Sequence, residues 1–207
     1  RAFGDVSAHE VHAWSRPQQI AFWINAYNTF TLRAIVDHYP IVGSRFSLHP
    51  RNSIRQIDGV WTTLTWKVAG RTVTLDDIEH RIIRPTFREP LIHLAVNCAS
   101  VSCPPLSEEP YRGATLGPQL EAATRRYLSS ALGLTIEGDT VSVSSIFKWY
   151  GDDFVERFRD AGPPRGGAAE RAVLGLVATY GPPSVQALAR SGRARLRRDA
   201  LAAVLTG

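Results

Sequence analysis

Methionine is absent from this chain, and lysine occurs only at Lys67 and Lys148 among 24 lysines and arginines. Only two cysteines are present, Cys98 and Cys103, which excludes a four-thiolate zinc site within one chain. Their spacing is not Cys-x-x-Cys, so neither a thioredoxin-like motif nor a zinc ribbon is matched. A short-loop disulfide, one nucleophile with a bystander, and a redox pair all stay open. No apolar run approaches the length needed to cross a bilayer, so no transmembrane segment is expected. The start at Arg1, with no methionine anywhere, reads as a trimmed or processed product, in which any signal peptide or anchor upstream would be invisible.

What is present is ordinary for a globular protein. With 207 residues, 44% hydrophobic and 21% charged, the chain can bury one sizeable core. The formal charge is +5. Its densest cationic cluster, Arg193, Arg195, Arg197 and Arg198, has no aromatic neighbour. That pattern reads as a solvated helix face, so no nucleic-acid partner is expected.

Along the chain, Ile20, Ile24, Tyr27, Thr31 and Ile35 recur at helical spacing, with Trp23 and Phe30 widening the arc. They predict one long apolar helix from Pro17 to His38, which Pro40 closes. Residues 41–60 look irregular. Residues 65–68 and 71–73 flank Ala69-Gly70 as a hairpin. Thr74 and Asp77 resemble an N-cap opening a helix over 75–83, which Pro85 ends. The apolar run 91–96 predicts a buried strand, followed by a helix over 116–131 and a hairpin pairing 134–137 with 140–143 across Gly138-Asp139. Ser144 or Ser145 caps a helix running through Ile146, Trp149 and Phe154. After the Gly/Pro break at 161–167, residues 168–180, 184–191 and 194–205 read as short helices. The expected fold is α+β: a central apolar helix against a small, mostly antiparallel sheet, with flanking helices. One domain spans 1–160, and 161–207 form a helical appendage packed on it.

The densest chemistry lies where the run 91–96 meets Asn97-Cys98-Ala-Ser-Val-Ser-Cys103. Loops fixed at the end of a rigid element are where chemistry is usually placed. On the 75–83 helix, Glu79 falls inside the apolar arc with His80 on its flank. A carboxylate there is costly unless paired, so it either orients a histidine or an amide, or meets an arginine. Strand alternation separates His93 from Cys98, which makes His80 the better base for that thiol. Small residues from Ala99 to Ser102 offer backbone N–H groups to an oxyanion. Asn25 and Asn28 project near the long helix's apolar arc and need partners inside the protein.

Four motifs in order, Phe22-Trp-Ile-Asn-Ala-Tyr-Asn28, Leu75-Asp-Asp-Ile-Glu-His80, the stretch from His93 to Pro104, and Ser145-Ile-Phe-Lys-Trp-Tyr-Gly-Asp-Asp-Phe154, resemble the domain of unknown function 547 family over about residues 15 to 158. The matched positions are Asn25, Asn28, Glu79, His80, His93, Asn97, Cys98, Ser100, Cys103, Lys148, Trp149 and Asp153. The closing segment departs, since Arg197-Arg-Asp-Ala-Leu-Ala stands where a Tyr-Asp-Trp-like end is expected. The resemblance implies a periplasmic or secreted setting and a distant similarity to papain-like or transglutaminase-like cysteine hydrolases. The expectation is then a cysteine-dependent hydrolase or acyl-transfer domain acting on a peptide or small molecule. Cys98 would be nucleophile and His80 base, with Glu79 or Asn25 orienting the ring. Asn28, His93, Asn97, Ser100, Ser102, Cys103, Lys148 and Trp149 would bind or support, and no metal or cofactor is called for. Two alternatives stand beside it. One is a non-catalytic binding module with a buried polar network. The other is thiol redox chemistry, or a His/Cys metal site drawing on His80 and His93.

Overall fold

The computed structural model describes residues 2–47, 49–100 and 103–198. Among the described residues it is an α+β arrangement of eight α-helices and two small sheets, and it divides into two compact units. The first runs from the N-terminus to Arg88 and adds Val96–Ser100 and Leu106–Gly117. The second comprises Glu89–Ala95, the stretch ending at Pro105, and the chain from Pro118 onward.

In the first unit, α1 (Ala8–Ala13) opens at Ser7, whose hydroxyl accepts from the Glu10 N–H. Helix α2 (Arg16–Asp37) is the long helix expected from the apolar spacing, with Pro17 in its first turn. The Ser15 N–H donates to Gln18 Oε1 at 2.9 Å, which satisfies one of the donors a helix start leaves open. Its buried face carries Ile20, Trp23, Ile24, Tyr27, Phe30 and Ala34, a stripe wide enough to serve as the unit's main packing surface. The hairpin forms as expected: β1 (Trp66–Val68) pairs antiparallel with β2 (Arg71–Val73). Ala69 and Gly70 both take positive φ at the turn, as a tight hairpin of this twist requires.

The cap at Thr74 is also present. The Thr74 hydroxyl accepts from the Asp77 N–H at 3.1 Å, while Asp77 Oδ2 accepts from the Thr74 N–H at 3.0 Å. These bonds hold the Asp77 carboxyl below the usual carboxylate range. The helix they open is not the regular one expected. Asp77–Ile83 winds as a π-helix and runs on into α3 (Arg84–Phe87), so Pro85 does not end it. Pro85 brings no N–H to that continuous run, so its position donates no bond back to the preceding turn. The chain leaves at Arg88 in the left-handed region.

The second unit contains most of α4 (Leu116–Leu128), then α5 (Ile146–Trp149), α6 (Val155–Phe158), α7 (Ala168–Tyr180) and α8 (Pro183–Arg190). Strands β3 (Leu134–Glu137) and β4 (Thr140–Val143) form the second expected hairpin. Three expectations are corrected. The run 91–96 is not a strand: Pro90–Leu94 is a 3₁₀ turn, buried along its whole length and capped by the Glu89 carboxylate accepting from the Leu91 N–H. Next, residues 195–197 form a strand, β5, parallel to β4, where a helix was expected over 194–205; residues 199–207 lie outside the described residues. The strands also form two separate sheets, and one of them is mixed. Helix α7 lies close against the chain before it, because a Cβ on Gly175 would come within 2.0 Å of the Phe158 carbonyl oxygen. Tyr127 on α4 is fully buried, and burial pushes its hydroxyl up to about 12.

Candidate functional site

The two motif asparagines lie one turn apart on α2, and both clamp loops. Asn25 Nδ2 donates to the Tyr111 carbonyl at 2.8 Å, and its Oδ1 accepts from the Tyr111 N–H at 2.9 Å. A side-chain amide thus pairs with one backbone residue as a neighbouring strand would, and both its polar atoms are used. Asn28 is buried, and its Oδ1 accepts from the Asn97 N–H at 2.9 Å. The Asn97 side chain in turn accepts from the Ala99 N–H at 2.7 Å. That short bond accompanies a left-handed Ala99, φ 57°, a conformation an alanine adopts only when its surroundings hold it there.

Glu79 is buried in the π-helical stretch, as its position in the apolar arc implied. Among the described residues, however, its carboxylate makes no hydrogen bond to His80, His93, Asn25 or Asn28. His80 instead belongs to a row along its own helix. Arg84 lies one turn on, with a guanidinium nitrogen 3.0 Å from His80 Nδ1, and Asp76 one turn back lies 3.7 Å from Nε2. A guanidinium only donates, so in this contact His80 Nδ1 is the acceptor. The lone pair a general base would use is therefore already engaged.

Cys98 and Cys103 are joined in a disulfide. The bond is that of the short-loop reading and equally of an oxidised redox pair, and neither sulfur is a thiol in this structure. Cys98 is half-buried and Cys103 buried.

His93 pairs with a residue outside the expected catalytic set. Its Nε2 lies 2.8 Å from Asp153 Oδ2, and the ring stacks on Tyr150 with centroids 4.0 Å apart. The side chain is 1% exposed, and among the described residues its Nδ1 has no hydrogen-bond partner. Asp153 stands in the Ser145–Phe154 motif, but nothing in the chain between them signals the pairing across 60 positions. The remaining expected residues are dispersed. Ser100 is exposed, and Lys148 and Trp149 lie on the surface, Lys148 beside Leu196, Arg197 and Arg198. Ser102 lies outside the described residues.

Beside the Asn25 clamp, a groove of about 320 Å³ runs along α2. Phe3, Phe22, Leu32 and Leu106 give it apolar walls, and Asn28 and Thr29 contribute polar edges. Tyr111 and its neighbours from Leu106 form one side. Among the described residues no group of three or more His, Cys, Asp or Glu could hold a metal ion, and no helix is long and apolar enough to cross a membrane.

The chain thus combines α+β architecture with a long amphipathic helix, asparagine-clamped loops and a Cys98–Cys103 disulfide. The chain belongs to the family described as protein of unknown function, DUF547, whose model matches residues 11–128. No curated protein and no solved structure matches it.

Proposed function

We propose that the domain is a non-catalytic binding module, in which the motif residues form a hydrogen-bonded framework and a peptide or small molecule occupies the groove along α2. The observation that carries this reading is the Asn25 clamp. Both polar atoms of that amide bond Tyr111, a wall of the groove, so Asn25 is fixed in place and shapes that surface, with one N–H and one lone pair beyond those two bonds. Two further facts point the same way. The His80 lone pair is taken by Arg84, and the Cys98 sulfur is bonded to Cys103. The groove volume falls in the usual range for ligand sites, about 300–1,000 Å³, and its mix of apolar walls and few polar edges is the usual composition.

A screen of short apolar peptides against the intact chain, read by NMR line broadening, tests the reading. Hits should disappear in Leu32→Asp and persist in the Cys98→Ser/Cys103→Ser double variant. Turnover of a peptide or ester, or a covalent acyl adduct on Cys98, would contradict it.

One observation favours the cysteine hydrolase or acyl-transfer reading instead. His93 is held by a carboxylate on one nitrogen, as in the imidazole–carboxylate half of a catalytic triad. That reading requires the disulfide to be reduced first, and it requires the sealed ring to become reachable by substrate. Reductant-dependent esterase activity that is lost in Asp153→Asn would support it.

A further inference from the structure

The end of α2 and the loop after it carry an exposed apolar group that the groove does not use. Phe46 is 86% exposed, Tyr39 79%, Val42 69% and Val36 66%. A soluble surface rarely shows so many large apolar side chains within so short a stretch without a use for them. The loop is held in shape. The Gly43 N–H donates to the Arg51 carbonyl at 2.8 Å, and Arg51 Nε donates back to the Gly43 carbonyl at 3.1 Å, which closes the loop at its base. Gln56 Nε2 donates to the His49 carbonyl at 2.9 Å and lies within reach of the Ser44 carbonyl at 3.2 Å. Ile41 packs below on a small core of Ala34, Ile54, Ile57 and Val60. A loop braced at its base thus carries Phe46 exposed between its two ends.

Charge names the occupant. From His38 to Ile57 there is no acidic residue, while Arg45, Arg51 and Arg55 are all cationic. The Arg45 guanidinium lies 5.1 Å from the centre of the Phe46 ring, so cation and apolar wedge sit together at the tip. The flanking acids are Asp37, already paired with Arg33 at 2.7 Å, and Asp58 beyond the loop. Aromatic and aliphatic side chains that enter the headgroup region, with arginines beside them to meet lipid phosphates, make up the chemistry of an interfacial anchor. Tyr39 and Phe46 have faces a base could stack on, but Val36 and Val42 have none, and a bilayer surface takes all four. We infer that Val36, Tyr39, Val42, Arg45 and Phe46 dock this domain reversibly on the surface of an anionic lipid bilayer, with Phe46 as the inserted side chain.

The test is sedimentation of the full chain with vesicles of phosphatidylcholine alone and of phosphatidylcholine with phosphatidylglycerol. Binding should require the anionic lipid and weaken at 0.5 M salt, where the screening length falls to a few ångströms. Phe46→Ser should weaken partition about tenfold, from the lost burial of one aromatic side chain. Arg45→Gln should weaken it about fivefold, the usual effect of one basic residue at such a surface. Unchanged thermal melts show that both variants fold, because neither side chain is buried. Equal binding to neutral vesicles overturns the inference. So does a Phe46-dependent dimer by light scattering, or capture of a single-stranded oligonucleotide, if no vesicle partition accompanies it.

Discussion

The two ends of α2 treat their side chains in opposite ways. Over residues 20–31 the helix buries almost everything it carries, including polar groups. Asn28 and Thr31 are buried, and the Asn25 and Asn28 amides bond backbone from other parts of the first unit. Over residues 32–46 the same helix and its following loop expose Leu32, Val36, Tyr39, Val42 and Phe46. A polar group sealed in a core must be satisfied, and its loss is expensive; an apolar group left in water contributes little to folding and answers to something else. The comparison separates what holds this fold from what it offers to partners.

Mutation should break the contrast at the buried end first. Asn25→Ala removes both partners of the buried Tyr111 backbone, and urea unfolding should show a loss of about 3 kcal/mol. Asn28→Ala should cost roughly half as much for the bond it gives the Asn97 N–H. Reducing the disulfide, or replacing both cysteines by serine, should cost about 2 kcal/mol, the chain-entropy value for so short a loop. Thr74→Ala, which deletes one side of the cap, should cost about 1 kcal/mol. The same cap gives a pH signature. Because the folded Asp77 carboxyl is held low, its stabilisation is present above the unfolded carboxylate value and fades as pH falls through the folded one. Thr74→Ala keeps the backbone N–H bond, the larger cause, and removes only the hydroxyl's, so it should lessen that acid slope in part. At the exposed end, Phe46→Ser should change stability by less than about 0.5 kcal/mol. A large loss there would mean that Phe46 belongs to the core after all.

Much of the local structure was legible in the sequence because local spacing decides it. The long helix, both hairpins and the Thr74–Asp77 cap follow from periodicities of 3.6 and 2 and from turn residues. Short, wholly apolar stretches carry no period, so Leu91–Val96 read as a strand when Pro90 in fact starts a 3₁₀ turn. The reverse holds at Arg195–Arg197, where alternation from Arg193 is visible but arginine and alanine content suggested a helix. Of the site, His80 with Asp76 and Arg84 could have been read from one-turn spacing. Asn25 with Tyr111 and His93 with Asp153 could not, because 86 and 60 positions separate them and nothing local marks either partner.

The measurement closest to the central claim is the rate at which iodoacetamide alkylates Cys98 in the reduced protein, followed across pH. If the motif residues are framework, the thiol reacts no faster than free cysteine, and His80→Ala leaves the profile unchanged. A Cys98 that reacts at least tenfold faster near neutral pH, and loses that advantage in His80→Ala, would contradict the account and restore the nucleophile.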